Sequence, residues 1–512
     1  MRTLIVFVLG AFAASAAAAP PTDDPAAKLK LEWTGKLPWA TVVSIDEFAG
    51  HSVDQKLEAA QDKLAQQGGV VYFPAGEYRF KNSISLRNGI ILRGADPGQV
   101  NLAIDDRYSP PTKFIFPKYE PKLEGDGTPN DTAFKGIHLQ KPETDSNCGL
   151  VNIDVHYGHV HFAEGADHKV GRNRLVAGCV FRSAARLEHG VPDKAQGQHG
   201  WQRWTGRHLA AIHVYSEENA LIWNNRLPDS SADDFEMPGF RMQGRGKDSG
   251  KTIEVPRGVF FDYNNRPGIR VNHFSIGGGG GADPKGTPQT HPHGFRKGTV
   301  IWLNYVYSTG RCAIAFTGDG VNCSFNKIRF KMDVIRHTHT GTSAASGSST
   351  NDNRGIEMRG WRWTLERNDY QVYRNRAGDS KVYINDGEGM MHEGHANSTV
   401  KDSKLIGNRG NSYISIYKTA GVDGLLVEFN RISTPGGISA IYVVADRNWD
   451  RHPCRNVKIR DNWTSGSGIQ IAGEPGENNV ISGNKHEGPG GKITNKANAK
   501  VLDNEGYEIV GP

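Results

Sequence analysis

The sequence predicts an all-β fold, a right-handed parallel β-helix (solenoid) with an N-terminal capping helix. Three observations carry the prediction. An asparagine recurs at a near-constant interval, the runs between successive asparagines alternate with no helical period, and a single amphipathic stretch precedes the first strands.

Taken in order, Arg2 and Thr3 precede the apolar run from Leu4 to Leu9, and the tract Ala13 to Ala19 supplies A-x-A cleavage sites. Residues 1–19 therefore read as a secretory signal peptide, and the expected location is secreted or periplasmic. Residues 20–40 form an N-terminal extension, and 41–512 a single parallel β-helix domain with loop insertions. Val53, Leu57, Ala60 and Leu64 recur at helical spacing up to Gly68-Gly69, which predicts a capping helix over 53–67. The segments "VVYFPAGEYRF" and "ISLRNGIILRGA" follow as strands.

The repeat is marked by Asn224, Asn264, Asn304, Asn326, Asn375, Asn408, Asn430, Asn462 and Asn484, with intervals of 22 residues between 304 and 326, 408 and 430, and 462 and 484. Each unit holds two short alternating runs, such as "YISIYK" then "LLVEFNRI". A unit of that size cannot bury its apolar face alone, whereas stacking units buries a continuous core. The asparagine is expected at a turn, tolerant of left-handed backbone, with its amide bonding the turns above and below.

Composition limits the alternatives. The 62 glycines in 512 residues exceed the usual ~7% share, but no G-X-Y period accompanies them, which excludes collagen. Cys148, Cys179, Cys312, Cys323 and Cys454 are few, odd in number and never in a C-x-x-C pair, so disulfides are not the main support and a zinc ribbon is unsupported. Mean hydropathy is −0.54, and after residue 19 no run approaches the ~18 apolar residues of a membrane span, so no membrane is expected. The net charge of +6 favours acidic glycans as partners. No Lys/Arg cluster with base-stacking residues points to nucleic acid, and oligomeric state is left open.

The segment "GGVVYFPAGEY", placed after an amphipathic helix, resembles the entrance to the pectate-lyase-like right-handed parallel β-helix superfamily, of the secreted carbohydrate-active type. The resemblance implies a fold that hosts lyases, hydrolases, epimerases and non-enzymatic spikes. "SIDEFAGHSVD" stands where many such enzymes carry "GDGxTDD". Asp233-Asp234 is present without the "NTD" of polygalacturonase-type hydrolases. "NRPGIR" at 265–270 is similar to the "RxPxxR" of pectate lyases, with Arg270 at the second arginine and Asn265 at the position of the family's proton-abstracting base.

Strand alternation selects the candidate site. If Ile212, Val214, Ile314, Phe316, Ile356, Met358, Ile414, Ile416, Ile469 and Ile471 face inward, then His213, Tyr215, Ala315, Thr317, Glu357, Arg359, Ser415, Tyr417, Gln470 and Ala472 face outward on one sheet. An inward Val271 adds Arg270 and Asn272; an inward Ile384 adds Tyr383 and Asn385. The loop "NDGEGMMHEGH" at 385–395 then borders Glu357 and Arg359. Expected catalytic residues are Glu357, Arg359, Asp386, Glu388 and His392, and expected substrate-binding residues are His213, Tyr215, Arg270, Asn272 and Tyr417, with no metal ligand assigned.

Two carboxyls about 5 to 9 Å apart suit a glycoside hydrolase. A base with a cation that neutralises a uronate carboxylate suits a polysaccharide lyase, the favoured expectation on an acidic, uronate-containing polysaccharide. A non-catalytic glycan-binding or surface β-helix stands as the third alternative. Ca²⁺ is a possible cofactor through acidic loop residues such as Asp283 or Asp319, although no twelve-residue Ca²⁺ loop is present. Histidines also cluster at 156, 159 and 161, at 291 and 293, and at 337 and 339; alternate histidines on a strand face one way and can ligate a metal. Loops at 188–208, 237–251, 277–281 and 337–350 are expected to wall the site, where Trp201 and Trp204 either stack on sugar rings or pack within their loop.

Overall fold

The computed structural model describes residues 20–98, 102, 104–105, 107–117, 122–123, 129–130, 135–141, 146–162, 171–182, 210–228, 240–243, 252–255, 268–272, 296–308, 312–334, 354–376, 382–384, 388–393, 399–417, 419–434, 438–447 and 450–511. Of these, 122–123, 129–130, 240–243, 252–255, 308, 312, 330–334, 354, 373–376, 382–384, 388–393, 447 and 450 are described by backbone alone. Residues 1–19, Asn264, Trp201, Trp204 and Asp283 fall outside that description.

The chain winds as a right-handed parallel β-helix with three strands per turn. One turn comprises Ile212–Val214 on sheet III, Glu218–Trp223 on sheet I and Arg226–Leu227 on sheet II. The next turn pairs with it in parallel, Ile212 with Ile269, Leu221 with Val300 and Arg226 with Tyr305. Inside, one residue type repeats rung after rung. Ile212, Ile269, Ile314 and Ile356 are in register, as are Ile414, Ile441, Ile469 and Ile493, and all are fully buried. Each such side chain contributes about 1.5–3 kcal/mol of burial, and the period of two leaves the outer face to other chemistry.

The asparagines line the corner between sheets I and II. Asn225, Asn304, Asn326, Asn368, Asn408, Asn430, Asn462, Asn484 and Asn504 stack in order. Asn368, for example, donates to the Oδ1 of Asn408 from both its backbone N–H and its Nδ2, each at 3.0 Å, and Asn408 does the same to Asn430 at 2.9 Å. Each Nδ2 also donates to a carbonyl of the preceding turn, as Asn408 does to Leu365 O at 3.0 Å.

Two members differ from the sequence expectation. Asn225 rather than Asn224 occupies its rung, and Asn368 rather than Asn375 occupies the rung after Asn326. The reason is a division of labour within the turn. The left-handed residue is the one before the ladder asparagine, at Asn224 (φ 55), Phe325 (φ 59), Arg367 (φ 51) and Phe429 (φ 57), while the asparagine itself points in and bonds. Asn375 lies within the strand Asp369–Arg376, on the far side of that turn.

The capping helix spans Val53–Leu64, shorter than expected because its C-terminal turn unwinds into Gly68 (φ 73), whose N–H reaches Leu64 O at 2.9 Å. Ser52 caps the start by accepting from Gln55 N at 3.3 Å, and Leu57, Ala60 and Leu64 close the N-terminal end of the core. The outer face of sheet I is apolar through the first turns, with Val70, Ile91, Leu175 and Leu221. Ala26, Leu37 and Trp39 of the 20–40 segment pack into the same cluster. Arg93 Nη1 donates to Asp23 O at 2.6 Å, and Lys28 Nζ stands 4.9 Å above the Trp223 ring. Among the described residues no helix is long and apolar enough to cross a membrane.

Two predictions follow from this packing. Asn408→Ala removes the Oδ1 that accepts from both the backbone N–H and the Nδ2 of Asn368, together with the Nδ2 bonds to Leu365 O and to Asn430, and leaves the Asn368 N–H buried without its acceptor. It is expected to cost ~2–3 kcal/mol in a denaturant titration, an effect no exposed asparagine would show. Burial pushes the thiols of Cys179 and Cys454 up to about 12. Alkylation at neutral pH is therefore expected to leave both unlabelled until the protein unfolds; labelling of the folded protein would contradict the burial.

Candidate functional site

Sheet III puts chemistry on its outer face because its inner face is committed to isoleucine. His138, His161, His213, Arg270, Ala315 and Glu357 lie in consecutive register along one column. Two residues further along each strand, Thr317 pairs with Arg359, and Asn272 follows Val271, which pairs with Phe316. The parity expectation for Val271, Ile314, Phe316, Ile356 and Met358 agrees with their places in the core cluster.

The column begins with histidines. The His138 and His159 Nε2 atoms are 3.0 Å apart, and His159 Nδ1 donates to Lys135 O at 3.1 Å, since a carbonyl can only accept. His161 stacks on His213 with ring centroids 5.0 Å apart and 14° between planes, and His213 meets the Tyr215 ring at 4.8 Å. A Cβ on Gly136 would fall 2.6 Å from His159 Nδ1, so glycine there makes room for the imidazole.

Next to this stack lie polar groups whose bonding capacity is unused. Arg270 is 4% exposed, yet among the described residues its guanidinium has no hydrogen bond or ion pair. Asn272, 1% exposed, accepts from Ser216 N at 2.8 Å and from Arg296 Nη1 at 3.4 Å, but among the described residues its Nδ2 has no acceptor. Thr317 Oγ1 is buried without a partner among the described residues. Arg296 also lies 5.7 Å from the Tyr215 ring centroid. One rung beyond the small Ala315, Glu357 Oε1 accepts from Arg359 Nη2 at 2.6 Å; the carboxylate is fully buried and Arg359 nearly so. Outward-facing here does not mean solvent-exposed.

Of the expected site residues, His213, Tyr215, Arg270, Asn272, Glu357 and Arg359 thus share one face across four successive turns. Tyr417 follows further along it, half-buried and in register with Glu393. The loop expected at 385–395 differs. Glu388–Glu393 is the sheet III strand of its turn, with His392 in register with core-facing Met358, Glu388 with Arg354, and Met391 with Glu357. Val382–Ile384 is instead a hairpin strand antiparallel to Asp369–Arg376 on sheet II, so Tyr383 does not join the sheet III face. Asp386 lies outside the described residues. Arg296 is not marked by strand alternation because it precedes its strand, Lys297–Trp302, and from there it meets Asn272 and the Tyr215 ring.

Among the described residues no group of three or more His, Cys, Asp or Glu side chains converges to hold a metal ion. Asp319, considered for Ca²⁺, bonds the guanidinium of Arg362.

No protein-family model and no curated protein matches the chain. Among solved structures it is similar to PfbA, a surface adhesin of Streptococcus pneumoniae, at TM-score 0.44 and 13% identity over 92% of this chain and 91% of that one. It is also similar to the catalytic unit of a thermostable GH87 α-1,3-glucanase from Streptomyces thermodiastaticus (TM-score 0.37, 12% identity, 92% and 69% covered). A third is the A-module of the Azotobacter vinelandii mannuronan C-5 epimerase AlgE4 (TM-score 0.33, 12% identity, 92% and 98% covered). Similarities of this size carry no functional assignment.

Arg359→Met removes the Arg359 guanidinium from the buried Glu357 carboxylate and is expected to cost ~3–5 kcal/mol by denaturant titration. The double change Glu357→Gln with Arg359→Met should recover most of that loss; equal losses would mean that the two groups do not depend on each other.

Proposed function

We propose that this chain is an exported carbohydrate-active enzyme that cleaves an acidic, uronate-containing polysaccharide by β-elimination on the outer face of sheet III. The supporting observation is the trio of buried, unused groups at Arg270, Asn272 and Thr317. Leaving such groups desolvated without partners is costly, and a carboxylate offers two acceptor oxygens to relieve that cost. Arg270, Arg296 and Arg359 against the single carboxylate of Glu357 make the described part of the face cationic, which suits the same ligand.

Holding a uronate carboxylate against Arg270 acidifies the C5 proton of that sugar. His213, one register step away, takes the proton. The electron pair left on C5 forms the C4–C5 double bond as the C4–O4 bond breaks, and the leaving oxygen takes a proton from Tyr215, whose ring stands against His213. Glu357, held by Arg359, bounds the face at the far side of Ala315.

Incubation with alginate, pectate and glycosaminoglycans should give a product with the ultraviolet absorbance of an unsaturated uronate. New reducing ends without that absorbance would mean hydrolysis, and binding without turnover a non-catalytic role. His213→Gln is expected to lower kcat at least ~10²-fold with KM nearly kept, while Arg270→Gln should lower kcat/KM on uronate polymers by a similar factor. Full activity in both variants would remove this face from consideration.

A further inference from the structure

The residue after each ladder asparagine is the first outward residue of sheet II, and the residue before it forms the left-handed corner. Around Asn408 and Asn430 these flanks carry two uncompensated features. Arg409 and Arg431 are directly paired across adjacent strands and exposed, and among the described residues neither has an ion-pair partner. Asp369, the next residue in register with Arg409, gives its carboxylate to Arg329 at 2.8 Å instead. Like charges directly opposite each other destabilise a sheet. The second feature is Phe429, 58% exposed with φ 57, where the rungs on either side place Gly407 and Asp461, residue types suited to left-handed backbone. An exposed aromatic in that conformation has strain without burial to offset it.

We propose that this corner is a second, non-catalytic docking track for an acidic polysaccharide, on the corner between sheets I and II and separate from the groove on sheet III. Arg409 and Arg431 present guanidiniums one strand spacing apart, about 4.8 Å, a separation that adjacent units of an extended sugar chain also cover. Trp463 fixes the second of them, with the Arg431 guanidinium 4.4 Å from its ring centroid. Phe429 offers an open ring face for a pyranose, with Gly407 leaving the rung beside it clear. Anionic sugars rather than neutral ones are the ligand because the cations lack counter-charges, and rather than nucleic acid because the track is single-file with one open ring.

The test uses the full chain in an Arg270→Gln background, so that the groove does not mask the track. Affinity electrophoresis through alginate or pectate, and through neutral dextran, is run across a salt series with thermal midpoints measured in parallel. Expected are salt-dependent retardation by the uronate polymer only, an affinity loss of about fivefold or more in Arg409→Ser/Arg431→Ser, and near-full retention in the paired Arg→Lys variant. Phe429→Gly should weaken binding while raising the thermal midpoint, a combination that mere structural damage would not produce. The proposal falls if the double Ser variant binds as well as its parent, if dextran binds equally, or if single-stranded DNA displaces the polymer as readily as free polyuronate does. Turnover of a short uronate oligomer by the otherwise native chain should be unchanged by the Ser changes. Absence of any turnover would sink the cleavage reading and leave the track result standing.

Discussion

The pair of hydrogen bonds that each buried asparagine sends to the next fixes this molecule's geometry. Backbone N–H and Nδ2 converge on one Oδ1, so each turn is locked to its neighbour to the residue, from Asn225 to Asn504. A slip of one residue would turn every following side chain to the other face. The isoleucine column inside sheet III and the polar column outside it are two expressions of the same register. Insertions of very different length, such as the one between Val271 and Lys297, are tolerated because the ladder re-establishes the phase on the next rung.

That constraint explains how much was legible in the sequence. Recurrence of asparagine and alternation of isoleucine are local signals, and they sufficed for the solenoid, its capping helix and the outward parity of His213, Arg270, Glu357 and Arg359. The misplacements were also physical. At 224–225 two adjacent asparagines both fit a turn, and only the backbone decides that the first is left-handed and the second bonds. Asn375 matched the pattern of flanking residues but lies in a strand extended by a hairpin, which spacing alone does not reveal. The glycine-rich 385–395 segment has the composition of a loop, and the two adjacent methionines within its strand Glu388–Glu393 give no alternation to mark it.

The candidate site shows what parity cannot supply. Side-chain direction follows from a period of two, but burial, pairing and lack of pairing depend on which chain segments meet. Glu357 and Arg359 alternate outward and are nonetheless buried against each other. Arg270, nearly as buried, has its donors open among the described residues. Arg296 enters from outside the strand pattern altogether. The Glu357–Arg359 pair and Arg270 lie two rungs apart, with Ala315 between them, so the same face carries both a closed pair and open donors.

The 20–40 segment has a temporal consequence. It precedes the solenoid in the chain, yet the surface it lies on is assembled from strands that reach as far as Trp223, against which Lys28 packs. Asp23 and Trp39 both meet Arg93, so these two points can settle as soon as the turn that carries Arg93 has formed. Lys28, between them, finds its ring only when the turn of Trp223 has stacked. The strap is thus tethered near both ends early and its middle settles last, so closure of sheet I is ordered in time as well as in space.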